Sequence, residues 1–215
     1  MQTLTELLLE RSPTGVFTFA EAACLSGREK PVVHHLVKRA IAAGEVVHLR
    51  RELYCLAPRL LGRSPSPLAL AHRMYGPSYI SLESALAWHG WIPEAVRSVL
   101  SVCNKRSRTF DTPLGVFRYT RVPQRVLMAG VRRIELATGE AAFIADPLKA
   151  LADYVYAHKA DWTSPAPPIE SLRIEPEQLE AVRPEEIERL LANYESRRIR
   201  RFLTSLAKQP SIRGS

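Results

Sequence analysis

Two proline-rich stretches divide this 215-residue chain and limit what it can fold into. Residues 58–67 contain three prolines, a glycine and two serines, a composition that argues against a helix or strand and predicts a linker. Residues 163–168 contain three prolines, which predicts an extended, polyproline-like connection. We therefore expect four segments: an N-terminal domain over 1–58, a linker over 59–67, a middle domain over 68–160, and a proline-rich connection with a C-terminal helical extension over 161–215.

The charge of the chain is positive and is spread over the two expected domains. The formal net charge is +8, with +3 up to Arg63, +4 over residues 64–158 and +1 beyond. Hydrophobic residues at 46% and charged residues at 24% are typical of globular proteins and exclude a largely disordered chain. The positive balance favours a polyanionic partner, although basic charge also serves solubility alone.

The first residues show the periodicity of helices. Leu4, Leu7 and Leu8 recur at helical spacing, which predicts a short amphipathic helix. Thr18 and Glu21 are spaced as a capping box, which predicts the start of a second short helix.

A third helix has the clearest pattern in the chain. Pro31 suits its first turn and Gly44 its end. Its apolar stripe consists of Val33, Leu36, Val37, Ala40 and Ile41. Two apolar runs at 46–49 and 53–56 flank the charged residues 50–52, the pattern of a hairpin. Three helices followed by a hairpin predict a winged helix-turn-helix.

The apolar stripe of the third helix also determines which side chains face away from the core. A recognition helix presents that face to the major groove, and basic residues beside the helix and in the wing suit phosphates. The candidate DNA-binding residues are Arg28, Lys30, His34, His35, Lys38, Arg39, Arg50 and Arg51. Winged helices also serve as protein-binding modules, and Glu29, Glu45 and Glu52 offset part of the charge.

The middle region predicts a mixed α+β domain. Ser81 is expected to begin a helix that ends at Gly90, with His89 as a hydrogen-bonded core histidine. Strands are expected at 96–103 and 116–122, with a further pair at 131–136 and 140–144. Asp146 is expected to cap a helix that begins at Pro147.

Six cations of this region are candidates for one basic interaction face. They are Lys105, Arg106, Arg108, Arg118, Arg121 and Arg125. Such a face would bind an acidic protein, RNA or DNA phosphates, and the alternative is an ordinary solvated surface.

The C-terminal segment predicts a long amphipathic helix that packs on the body of the protein or on another chain. Its apolar positions are Ile187, Leu190, Leu191, Tyr194, Ile199, Phe202 and Leu206.

Motifs for catalysis are absent from the sequence. It contains no P-loop, zinc-protease, nucleophile-elbow or dinucleotide-binding motif and no paired carboxylates of a nuclease core, so we expect no enzymatic activity, no cofactor and no metal. Cys24, Cys55 and Cys103 lack metal-ligand spacing and are expected to be buried thiols in a reducing compartment. Neither a signal peptide nor a transmembrane run is recognisable, which predicts a cytoplasmic protein.

Several segments, taken in order, resemble the AbiEi family, the antitoxin and transcriptional-regulator components of type IV toxin–antitoxin (abortive infection) systems. The resemblance covers about residues 15–156 and is carried by TFAEA at 18–22, RAIAAG at 39–44, LRRELY at 49–54, ISLESALAWHG at 80–90 and ADPLKALAD at 145–153. No single motif is unique, but their order and spacing are fairly specific.

The resemblance implies a winged-helix domain that binds inverted repeats in its own promoter. It also implies an antitoxin domain that counteracts a nucleotidyltransferase-like toxin without a stable complex. Carried over by position, Arg28, Lys30, His35, Lys38, Arg39, Arg50 and Arg51 match the family's DNA-facing helix and wing. Glu52 departs from the family, since many wings have glycine there.

Two function classes follow from the sequence. The first is a DNA-binding autorepressor with antitoxin activity, with more than one chain on each operator because the charge of the winged helix is modest. The second is a non-enzymatic adaptor whose winged helix binds protein. A DNA-targeted nuclease is disfavoured by the missing carboxylate cluster.

Overall fold

The computed structural model describes residues 2–93 and 97–208 as a mixed α+β fold, as expected. The helices of this part of the chain are α1 Leu4–Arg11, α2 Phe19–Ser26, α3 Lys30–Ala42, α4 Pro58–Leu61, α5 Pro67–Met74, α6 Leu82–Trp88, α7 Pro147–Ala157, α8 Ala166–Leu172, α9 Pro176–Glu180, α10 Pro184–Asn193 and α11 Arg197–Leu206. Its strands are β1 Val16–Thr18, β2 Val46–Arg50, β3 Leu53–Leu56, β4 Ser78–Ile80, β5 Ser98–Cys103, β6 Arg108–Thr112, β7 Gly115–Arg121, β8 Val131–Glu135 and β9 Ala141–Ala145.

The N-terminal unit places helices α1–α3 on a three-stranded antiparallel sheet of order β1-β3-β2. The predicted capping box is present, because the Thr18 hydroxyl accepts from the Glu21 N–H at 3.1 Å and the Glu21 carboxylate accepts from the Thr18 N–H at 2.6 Å. The expected first and third helices and the hairpin are confirmed as well.

The small sheet has two buried faces. Phe17 and Leu56 lie in the core beneath the three helices, together with Val33 of α3. On the opposite face, Leu53 and Cys55 belong to the core of the middle region. The N-terminal unit is therefore packed against the rest of the protein through a shared core.

The proline-rich stretches, predicted as a linker and an extended connection, are helical in part. Pro58 and Pro67 are the first residues of α4 and α5, and Pro167 and Pro168 lie in the first turn of α8. Proline lacks an N–H donor, and the first turn of a helix needs none, so these prolines begin helices. The predictions are therefore wrong for the residues of α4, α5 and α8, whereas residues 62–66 and 163–165 belong to no helix or strand, as the sequence predicted.

The middle region contains a six-stranded mixed sheet of order β6-β7-β5-β4-β9-β8. The predicted strands correspond to β5, β7, β8 and β9, and β8 pairs with β9 as expected. Val96, the predicted start of the first strand, lies outside the described residues. Strands β4 and β6 were not predicted from the sequence, because β4 has three residues and β6 has only one large apolar side chain.

The register of this sheet shows that α5 and α7 cover opposite faces. Tyr119 pairs with residue 101 of β5, whereas Tyr79 pairs with residue 102, and adjacent residues of a strand point to opposite faces. The Tyr119 hydroxyl donates to the carbonyl of Ala71 in α5 at 2.6 Å. The Tyr79 hydroxyl donates to Asp153 in α7 at 2.8 Å.

The C-terminal segment forms two helices, α10 and α11, where the sequence predicted one long helix. Both pack against α7, as the first of the two predicted placements requires. Tyr194 breaks the helix because its backbone is extended and its side chain is completely buried. The break in the helix thus allows the Tyr194 ring to be buried in the core.

Two predicted capping residues begin their helices but do not cap them. The Ser81 hydroxyl donates to Asp153 at 2.7 Å, and the Asp146 carboxylate faces Arg132 and Arg189. The predicted role of His89 is partly right, since its Nε2 lies 2.9 Å from the Ala145 carbonyl while the ring is half-buried.

Among the cysteines, Cys55 and Cys103 are buried as expected, but Cys24 is exposed on α2. Only one α2 residue, Ala22, is fully buried, so Cys24 stays on the solvent side. No helix of the described residues is long and apolar enough to cross a membrane.

Candidate nucleic-acid interface

Helix α3 is basic and contains no acidic residue, although its N-cap residue, Glu29, is exposed beside Lys30. Its core side consists of Val33, Val37 and Ala40, in agreement with the predicted stripe, although Ile41 at the end of that stripe is exposed. The exposed ionisable residues of the helix are Lys30, His34, His35, Lys38 and Arg39. An acid-free exposed helix is suited to a negatively charged partner.

The centre of this surface is formed by His35 and Lys38. They are three residues apart, so they lie on one face of the helix. His34 lies to one side, where its ring meets the ring of Phe19 edge-on at 6.0 Å. Neither His35 nor Lys38 is held by a hydrogen bond or ion pair to another described residue, so both can contact a ligand.

Two of the predicted residues lie on the α1 side of α3. Arg28 is half-buried and donates to the Gln2 carbonyl at 3.4 Å. Arg28 and Arg39 line a cavity of about 260 Å³ together with the start of α1 and Glu45. They are therefore at the margin of the outward surface, beside a carboxylate.

The β2–β3 turn projects Arg51 into solvent. The register joins Arg50 to Leu53, so the tip of the hairpin is Arg51 and Glu52. Glu52 has a φ of +63°, in the left-handed region that favours glycine. The tip of the hairpin therefore carries a glutamate in a backbone conformation that suits glycine.

Arg50 does not face outward. Its Nε donates to the Met74 carbonyl at 2.6 Å, its Nη1 to the Arg51 carbonyl at 2.6 Å and its Nη2 to the Arg73 carbonyl at 3.2 Å. The last carbonyls of a helix have no partner within the helix and attract a cation, and α5 ends at Met74. We therefore remove Arg50 from the predicted DNA-binding set and assign it to the junction with α5.

Arg73 completes this junction from the other side, and it was not found by the sequence reasoning. It donates to the Val16 carbonyl at 2.9 Å and to both oxygens of Glu21, at 2.7 and 2.9 Å. Burial alone would raise the pKa of Glu21, but the Thr18 hydrogen bonds and the Arg73 guanidinium outweigh it and lower that pKa. The orientation of α2 and of the hairpin relative to α5 is thereby fixed by two arginines.

The six basic residues of the middle region do not form one face. Arg108 pairs with Tyr119 and Thr109 with Arg118, so Arg108 and Arg118 lie on opposite faces of the sheet. Arg125 is in a loop and pairs with Glu195 at 3.2 Å. The expectation of one face was wrong because neighbouring positions of paired strands alternate.

A smaller basic group remains near the hairpin. Lys105 donates to the Gly76 carbonyl at 2.7 Å, and its Nζ lies 5.5 Å from the centre of the Tyr75 ring. The Arg108 guanidinium lies 5.8 Å from the same ring, whose hydroxyl donates to the Arg106 carbonyl. Since Arg50 contacts Met74, this group lies beside the hairpin. Arg121 lies at the same end of the β6–β7 pair, where its N–H donates to the Ser107 hydroxyl.

Within residues 2–93 and 97–208, no three His, Cys, Asp or Glu side chains converge as ligands for a metal. The chain matches no protein-family model, and no curated protein is significantly similar to it.

Proposed function

We propose that the first 58 residues are a winged helix-turn-helix that binds duplex DNA through α3. The supporting observation is the element order α1-β1-α2-α3-β2-β3 with the sheet order β1-β3-β2, in which an acid-free α3 lies beside a two-stranded hairpin. In winged helices of this order the third helix enters the major groove and the hairpin follows the backbone.

In this arrangement His35 and Lys38 face base edges and phosphates of the major groove. Lys30 lies at the first turn of α3, where it contacts backbone phosphate, and Arg51 reaches a phosphate from the tip of the hairpin. Arg50 and Arg73 act indirectly, since they hold α2 and the hairpin at one angle to α5. Four contacts of this kind are few for tight binding, which is why the proposal includes more than one chain on each operator.

The biological part of the proposal rests on the resemblance of residues 15–156 to AbiEi proteins. On that basis the protein represses its own promoter at an inverted repeat and counteracts a nucleotidyltransferase-like toxin. Protein binding by the winged helix is the alternative function.

The DNA-binding part is tested by fluorescence anisotropy with a duplex from the region upstream of the protein's own gene and a shuffled duplex of equal length. We expect preference for the upstream duplex and an affinity that falls steeply with salt. Lys38→Glu should abolish the preference, whereas Arg133→Glu, an exposed residue of β8, is the matched control and should retain it. Equal binding of both duplexes would refute specific repression.

The antitoxin part is tested separately by co-expression with the nucleotidyltransferase-like gene next to its own. We expect the wild type to restore growth. Lys38→Glu separates the two activities: rescue by this variant would show that neutralisation does not require DNA binding. Absence of rescue by the wild type would refute the antitoxin proposal. If the wild type forms a complex with another protein and the Lys38→Glu variant does not, the adaptor function would be favoured.

A further inference from the structure

Helix α11 carries a dense basic surface outside the proposed DNA interface. Four of its first five residues are arginines, at positions 197, 198, 200 and 201. Arg198 and Arg201 share one carboxylate, that of Asp161, at 3.1 and 2.7 Å. Arg197 is exposed and pairs with no other described residue. The positive charge of this surface is therefore only partly compensated.

Aromatic rings lie directly beside these arginines. The residue after Asp161 is Trp162, whose ring meets Phe202 of α11 at 5.5 Å. Tyr154 stacks on both Trp162 and His158, with ring centres 5.5 and 4.0 Å apart. The Nε2 of His158 lies 3.0 Å from a carboxylate oxygen of Glu83, and the side chain of His158 is 45% exposed. We call the group formed by His158, Lys159, Trp162, Arg197, Arg198 and Arg201 the tail surface.

The tail surface is separate from α3. The N-terminal unit is anchored to α5 by Arg50 and Arg73, and α5 covers one face of the six-stranded sheet. Helix α11 packs on α7, which covers the opposite face. The tail surface and the N-terminal unit are therefore attached to opposite faces of the six-stranded sheet.

We infer that the tail surface binds single-stranded nucleic acid. Arginine guanidinium groups form charge-assisted, often bidentate hydrogen bonds with phosphate oxygens. Tyr154 stacks on both His158 and Trp162, and the exposed parts of these two rings would offer stacking surfaces to unpaired bases, whereas the bases of a duplex are hidden. An acidic protein segment would pair with the arginines but would make no specific contact with the stacked rings of Tyr154, His158 and Trp162.

The binding test uses fluorescence anisotropy of the full-length protein with labelled rU20 and dT20. A duplex of shuffled sequence and a poly-glutamate peptide serve as competitors. We expect both single strands to bind, with RNA and DNA distinguished by their relative affinities, and poly-glutamate to compete poorly. The inference would be overturned if neither strand bound, or if poly-glutamate competed as well as an unlabelled single strand.

The site is located by Lys159→Glu combined with Arg197→Glu. Both residues are exposed, and neither side chain has a partner among residues 2–93 and 97–208, so the fold should be retained. We expect at least tenfold weaker binding at low salt and a salt slope reduced by about 1.4, the value for two lost contacts to a single strand. The control is Arg97→Glu with Arg133→Glu, which changes net charge equally.

Two further variants test the role of the rings and the independence of the tail surface from α3. Trp162→Leu should weaken binding without changing the salt slope, because stacking involves no counterion release. Lys38→Glu should leave single-strand binding intact even though it abolishes the proposed duplex preference. Unchanged binding by the Lys159→Glu/Arg197→Glu variant, or loss of binding in the Lys38→Glu variant, would refute a separate site.

Discussion

The Tyr194 hydroxyl donates a buried hydrogen bond to Asp153 Oδ1, which ties the break between α10 and α11 to the centre of α7. The other oxygen of Asp153 accepts from Tyr79 and Ser81. Lys149 lies one turn away, completely buried, and donates to Gln124 at 2.6 Å and to the Tyr194 hydroxyl at 3.0 Å. Burial raises the pKa of both tyrosines, and it lowers the pKa of Lys149 against the opposing effect of Asp153.

Removal of Asp153 should therefore destabilise the protein much more than removal of one hydroxyl. We expect Asp153→Ala to cost about 3–5 kcal/mol, because it removes a carboxylate that favours the charged form of buried Lys149 and leaves three buried hydroxyls without their acceptor, and Tyr194→Phe to cost about 1–3 kcal/mol. Urea unfolding followed by circular dichroism measures both. The double variant Lys149→Met with Asp153→Leu should be more stable than Asp153→Ala, and the opposite order would show that the uncompensated charge of Lys149 is not the reason.

The local parts of the fold could be predicted from sequence. The hydrogen bonds around Asp153 show why other parts could not. The Thr18–Glu21 box and the stripe of α3 are patterns within a few residues. The role of Asp153 depends on residues 74 and 41 positions away in the chain, and no periodicity encodes such a contact. The sequence does not show that the charged residues of α7 are buried, because their burial depends on which distant segments pack against the helix.

Arg50 and Arg51 are adjacent arginines with different predicted roles. Arg50→Ala should lower the free energy of unfolding by about 1–3 kcal/mol, since it leaves carbonyls of α5 without donors, and should leave the salt slope of DNA binding unchanged. Arg51→Ala should leave stability unchanged and reduce the salt slope by about 1. Urea unfolding and salt-dependent anisotropy provide the two measurements. A reduced slope for Arg50→Ala would restore Arg50 to the DNA-binding set.

Glu52→Gly should stabilise the hairpin and strengthen DNA binding. A φ of +63° costs a residue that has a side chain about 1–2 kcal/mol. Glycine avoids this strain, but it loses more conformational entropy on folding, so only part of the cost is regained. We expect the free energy of unfolding to rise by up to about 1 kcal/mol. Glu52→Ala is the matched control, because it removes the charge but keeps the strain. It should improve DNA affinity without raising stability, and equal stability of the two variants would contradict the strain argument.

The Glu21–Arg73 pair predicts a loss of stability in acid. Because the pKa of Glu21 is lowered in the folded protein, the unfolded chain takes up its proton first as the pH falls. The contribution of Glu21 is complete above the usual value of 4.5 and disappears as the pH falls through the lower folded value. Unfolding free energies measured from pH 6 to 3 should therefore fall more steeply for the wild type than for Glu21→Gln. Parallel curves would show that the pair does not stabilise the junction.

The candidate interface was predictable only as far as it depends on one helix. His35 and Lys38 follow from the stripe of α3, since the buried positions determine the outward ones. Arg50 could not be separated from Arg51 by sequence, because its position is decided by the end of α5, more than twenty residues away. For the same reason the sequence does not indicate the role of Arg73 at the junction. The six basic residues of the middle region could not be assigned to faces, because the sequence does not give the strand register.

The three cysteines provide a test of the packing between the small sheet and the middle region. Burial raises the pKa of Cys55 to about 11 and also raises the pKa of Cys103, so neither forms a thiolate readily, whereas Cys24 is exposed on α2. At pH 8 we expect one thiol per chain to react quickly with Ellman's reagent and the other two only after unfolding. Cys24→Ser should remove the fast phase. A second fast thiol that Cys55→Ser removes would mean that the shared core around Cys55 opens in solution, and the rigid junction proposed for Arg50 and Arg73 would then be wrong.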